Sequence, residues 1–176
     1  MIFIMLEWQH IFDDAPTKTF VQGAAVFRRE DSVRSMYLVR SGTIALERPL
    51  TDGTALTLSV ATVGMALAEA SLFAAIYHCD AVARTNSKIA IMSRTAFRSA
   101  LRECPDVALS LIETYTKEVQ SQRARIEILR LRRVSDRLDA WLDLHDEPPI
   151  GEWIKVAEQI GVSPPALYRE LARRRK

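Results

Sequence analysis

Cysteine is scarce in this chain of 176 residues: there are two, Cys79 and Cys104, far apart and outside any Cys-x-x-Cys pair. With only three histidines beside them, that excludes a zinc-ligand cluster and a disulfide framework. Glycine is sparse too, six in all, and none falls in a Gly-rich phosphate loop or a nucleophile elbow, so no enzyme class announces itself. Long apolar runs are missing. The N-terminal "MIFIML" is too short to span a bilayer and has neither a basic lead-in nor a cleavage site. A cytoplasmic protein without membrane or metal partners is expected. An excess of charge is also lacking, since 24 basic residues stand against 22 acidic ones. The distribution is uneven, however. "RARIEILRLRR" (Arg123 to Arg133) holds five arginines against one glutamate, and "RELARRRK" (Arg169 to Lys176) five basic residues against one acidic.

What is present reads first as strands. From Phe20 to about Ser93, short Val-, Ile-, Leu- and Thr-rich segments are broken by turns: "SMYLV" and "TIALERPL" flank "RSG", and "DGT" (Asp52 to Thr54) precedes the alternating "ALTLSVA". "HCDAVART" and "SKIAIMS" add two more strands, and "LAEASLF" ahead of them reads as one helical turn. The expected fold is α+β, opening with an antiparallel β-roll of double-stranded, jelly-roll-like form.

At Ser93 the periodicity changes. Ser93 is placed to N-cap "RTAFRSALRE", and Pro105 occupies the first position of a new helix. Ile112, Val119 and Ile126 then recur every seven residues, with Tyr115, Gln122 and Leu129 between them. A stripe at helical spacing also suits packing within one's own domain, but its confinement to a and d positions and the helix length favour a homodimer seam. "VSDRLDAWLDLH" reads as a separate amphipathic helix, followed by a loop at "DEPPIG".

The last stretch, "EWIKVAEQIGVSPPALYRELARRRK", reads as two short helices around a glycine turn. Val156, Ala157 and Ile160 form one apolar face, Gly161 stops the helix, Ser163 caps the next, Pro164 takes its first position, and Leu167 and Leu171 form the second face. A helix-turn-helix of this kind frees its second helix for the major groove of double-stranded DNA. Ser163, Pro164, Pro165, Tyr168, Arg169, Arg173 and Arg174 are the expected contact residues, with Arg169 reading a base and Tyr168 and Arg173 to Arg175 anchoring phosphates.

The order and spacing of these motifs resemble the Crp/Fnr family of bacterial transcription regulators: "GAAVFRREDSVRSMYLVRSGTIALERPL" its β-roll, "LAEASLF" its phosphate-binding cassette, residues 105–130 its dimer helix and "VAEQIGVSPPALYRELARR" its helix-turn-helix. The resemblance implies an effector domain at 1–104, a dimerisation helix at 105–131 and a DNA-binding domain at 132–176 without a visible wing. It also implies a homodimer on DNA, with RNA polymerase as a further partner. Its effector pocket would fall at Glu69, Ala70, Ser71, Cys79 and Asp80. There Ala68 replaces the family's glycine, and Cys79 and Asp80 replace the Arg-Ser pair that grips a cyclic phosphate, so the cassette is expected to be kept as fold and not as a cyclic-nucleotide site. No cofactor is expected. Haem at His78 or Cys79, a redox thiol at Cys79 and an unidentified small effector stay open, although strand neighbours His78 and Cys79 should face opposite sides. The competing reading is an effector-sensing or interaction module that has lost DNA binding.

Overall fold

The computed structural model describes residues 7–51, 53–149 and 151–174. "MIFIML", the turn residue Asp52 and the basic Arg175 lie outside the described residues. Eight strands come first: β1 (Thr17–Phe20), β2 (Ala25–Phe27), β3 (Ser35–Ser41), β4 (Ile44–Pro49), β5 (Ala55–Ala61), β6 (Ala66–Leu67), β7 (Asp80–Ala83) and β8 (Ser87–Ser93). They pair antiparallel in two four-stranded sheets, ordered β1-β8-β3-β6 and β2-β7-β4-β5, so the fold is α+β with a jelly-roll-like start. Ile44 and Leu46 of β4 lie opposite Ala83 and Ala81 of β7, and all four are buried. Phe27 stacks on Tyr77 at 4.1 Å between ring centres, while the Tyr77 hydroxyl donates to the Ser35 carbonyl at 3.0 Å. The β3–β4 turn depends on Gly42 at φ +84°, where a Cβ would strike Ser87 Oγ and come 2.6 Å from the Asn86 carbonyl oxygen.

The "HCDAVART" strand begins two residues later than its sequence suggests, at Asp80. Tyr77 is already committed, its amide donating to Asp31 and its carbonyl accepting from Glu30 at 2.9 Å each. His78 turns outward to Ser71.

Helix α1 (Arg94–Glu103) starts where Ser93 Oγ accepts the Ala96 amide at 3.1 Å, and its buried Phe97 meets Phe12 with ring centres 5.7 Å apart. Helix α2 (Pro105–Arg130) begins at its proline. The chain divides into two compact units between Ile112 and Glu113, so the first turns of α2 belong with the β-roll and the remainder with the C-terminal helices. Those are α3 (Val134–Leu142), α4 (Trp153–Gln159) and α5 (Pro164–Arg174). Their shared core is Ile128, Leu138, Trp141, Val156, Ala157, Ile160 and Leu167, where each large aliphatic side chain contributes roughly 1.5–3 kcal/mol of burial.

Candidate functional site

Helices α4 and α5 are joined by a turn that sequence chemistry dictates. Gly161 takes φ +65° after α4, and the Val162 amide donates back to the Ala157 carbonyl at 2.9 Å. The Ser163 carbonyl accepts the Ala166 and Leu167 amides at 2.9 and 3.1 Å, leaving Pro164 where a missing N–H costs nothing. Ala157 and Leu167 are fully buried between the helices. Ser163, Pro165, Tyr168, Arg169 and Arg173 are exposed, and Pro164 is half-buried.

Arg174 departs from its expected outward projection. Its guanidinium folds back to donate to Asp139 Oδ1 at 2.6 Å, Glu170 Oε1 at 3.0 Å and the Ser135 carbonyl at 3.0 Å. Two carboxylates and a carbonyl in the first turn of α3 engage it together, so Arg174 fastens α5 to α3. Arg173 bonds Glu170 at 2.9 Å but stays solvent-facing. These two arginines, Arg173 first, hold the Glu170 carboxyl below its ordinary value, and Glu170 raises Arg173 in turn.

Two arginines that the sequence does not mark as special hold the turn in place. Arg137 donates to four carbonyls: Leu131 at 2.8 Å, Ile160 and Gly161 at 3.0 Å, and Leu129 at 3.1 Å. These are orphan acceptors at the ends of α2 and α4, and one planar guanidinium satisfies both sets. Arg125 adds Gln159 and Glu158 carbonyls at 3.2 and 3.4 Å. The sequence carries almost no signal for either, since a bond from Arg137 to residue 160 leaves no trace in local periodicity.

The cassette residues lie around a 3₁₀ turn, Glu69–Ser71, entered through Ala68 at φ 71°. A left-handed alanine is strained where glycine is free, by roughly 1–2 kcal/mol. Glu69 is half-buried, Ala70 exposed and Ser71 buried, its Oγ 3.1 Å from His78 Nδ1. Cys79 is 1% exposed. Burial first, then the Glu69 and Asp80 carboxylates, pushes its thiol up, and Arg48 partly opposes them. Asp80 does not share that inward face. In β7, Ala81 and Ala83 point into the core while Asp80 and Val82 point away, and Asp80 accepts the Arg29 amide at 2.6 Å and the Arg28 guanidinium at 3.3 Å. Asp80, expected among the pocket residues, is thus an ion-paired clamp on the β2 end. His78 and Cys79 do face opposite sides, one exposed and one buried.

Along α2, Ile112, Val119 and Ile126 are 60%, 49% and 50% exposed. Leu129 is also exposed, Tyr115 is half-buried, and exposed Gln122 donates to Glu118 at 2.7 Å. Ile112, Val119 and Ile126, seven residues apart, are thus exposed apolar side chains along α2.

Residues 17–104, from β1 through the end of α1, match the cyclic nucleotide-binding domain family. The chain belongs to that family. No curated protein sequence matches it. Among solved structures, this chain is similar to the c-di-GMP-responsive global regulator CLP of Xanthomonas campestris, with 18% identity, a TM-score of 0.67, and 96% of this chain and 90% of that one covered. It is similar to FixK2 of Bradyrhizobium japonicum, with 15% identity, a TM-score of 0.67, and coverage of 90% and 83%. It is also similar to the catabolite activator protein of Thermus thermophilus, with 21% identity, a TM-score of 0.56, and coverage of 95% and 81%. At these identities the likeness is one of fold. In this member the β-roll is intact, while the inward position on the approach to β7 carries a buried thiol.

Proposed function

We propose that this chain is a homodimeric, DNA-binding transcription regulator of the Crp/Fnr type that does not respond to cyclic nucleotides. The observation that carries the reading is the α4–α5 pair. A core shared by Ala157 and Leu167 and a left-handed Gly161 leave Ser163, Pro165, Tyr168 and Arg169 exposed to solvent. A base-reading arginine beside an aromatic suits major-groove contact. The exposed Ile112, Val119 and Ile126 row supports self-association, because a stripe of this width suits a two-helix seam. RNA polymerase is the partner such a regulator would engage.

The cassette supports the second half of the reading. Cys79 offers a neutral, buried thiol where a cyclic phosphate needs a cation, and loss of such a charge-assisted pair costs about 2–5 kcal/mol. Gel shifts of the full chain on genomic fragments test DNA binding: retention that weakens steeply with salt supports it, and no retention at low salt refutes it. Calorimetry with cyclic AMP and cyclic GMP tests the rest. Micromolar binding of either would overturn it.

A further inference from the structure

We propose that Arg130, Arg132 and Arg133, where α2 passes into α3, form a second phosphate-contacting surface on DNA beside α5; this rests on the reading of α4–α5 as a DNA-binding pair. The run Arg123 to Arg133 holds five arginines, of which Arg123 is exposed on α2, away from the passage into α3. Arg125 is spent on the Gln159 and Glu158 carbonyls. Arg130, Arg132 and Arg133 are exposed, and among the described residues none has an ion pair or a side-chain hydrogen bond.

Their position joins them to α5. Arg174 bonds the Ser135 carbonyl at 3.0 Å and Asp139 at 2.6 Å, which pins the end of α5 on the first turns of α3. Arg133 is two residues before Ser135 and Arg132 three, a span of at most about 10 Å of extended chain. Two of the carboxylates that would neutralise this surface are already engaged. Asp139 and Glu170 are taken by Arg174 and Arg173, Asp136 accepts from Ser135 Oγ at 3.0 Å, and Asp136 and Glu127 are two nearby acids without an ion pair among the described residues, against three arginines. Adjacent like charges without counter-charges repel one another, and that repulsion is relieved on a polyanion. Phosphates along DNA supply a charge every roughly 1.7 Å of axis, and each arginine seated on one releases counterions.

The test uses the full chain and a duplex chosen by selection from a randomised library, with affinity followed by fluorescence anisotropy across a salt series. The double variant Arg132→Gln/Arg133→Gln is expected to melt as the wild type does, to keep the wild-type preference for the selected site over a scrambled one, and to lower the slope of log K against log salt by about 0.9 for each phosphate left without its arginine. The control Arg98→Gln/Arg102→Gln removes two charges from the β-roll unit and is expected to leave the slope alone. A wild-type slope in the first variant, or an equal fall in the control, overturns the inference while DNA binding stands. A wild-type chain that binds no duplex at low salt removes the α4–α5 reading, and this surface with it.

Discussion

Replacing Arg137 by alanine should loosen the C-terminal unit more than any other exposed-surface change. The guanidinium donates to four carbonyls, two of them in partly buried bonds, to Leu131 at 2.8 Å and Ile160 at 3.0 Å. Hydrogen bonds with a charged partner contribute about 1.5–3 kcal/mol each where solvent is restricted, and the two exposed ones at Leu129 and Gly161 far less because water replaces the donor. The sum is about 3 kcal/mol, or roughly a 150-fold rise in local opening. Hydrogen–deuterium exchange of the full chain reads it: peptides from α4 and the Gly161 turn should exchange about two orders of magnitude faster, with β-roll peptides unchanged. Arg137→Lys should recover only a minor part, since one ammonium cannot span carbonyls at the ends of two helices. An effect under about fivefold would refute the claim that Arg137 holds the turn.

Gly42→Ala forces a Cβ to within 2.6 Å of the Asn86 carbonyl oxygen at φ +84°, and thermal unfolding should register a loss of about 3 kcal/mol in the β-roll; a shift under about 1 kcal/mol means the turn can relax. Glu170, held below its ordinary value of 4.5 by Arg173 and then Arg174, contributes stability that is fully present above 4.5 and is lost as pH falls through its lower folded-state value. Protection of α5 amides should therefore drop in acid for the wild type and show no such step in Glu170→Gln. Ile126→Glu places a charge in the exposed α2 row and should convert the proposed dimer to monomer in sedimentation, while circular dichroism stays the same. Arg169→Ala should cost roughly 1–3 kcal/mol on the true site and relax one base pair, whereas Arg174→Gln should act on stability first.

What can be read from the sequence is whatever a single residue dictates locally. Ser93 caps because its hydroxyl reaches the third amide of the helix, Pro105 starts α2 because its missing N–H is harmless there, and Gly161 ends α4 because only glycine enters φ +65° without strain. The stripe at Ile112, Val119 and Ile126 is legible because it repeats. Long-range side-chain commitments are not. Arg174 looks like one more cation in "ARRRK", yet its partner Asp139 lies on α3. Asp80 stands at the expected place in the chain, but the pleat of β7 turns it toward Arg28 and Arg29, which alternation shows only once the strand's inner face is known. Arg137 carries no mark at all, because its four acceptors are distinguished by geometry and not by residue type.

DNA recognition is tested by selecting bound duplexes from a fully randomised library with the wild-type chain, with Arg169→Ala alongside. One enriched motif with two-fold symmetry is expected, its guanine-containing half-sites about 10 base pairs apart centre to centre, with loss of preference at a single position per half-site in the variant. A library that emerges with no enriched motif, or an identical motif from Arg169→Ala, would contradict it.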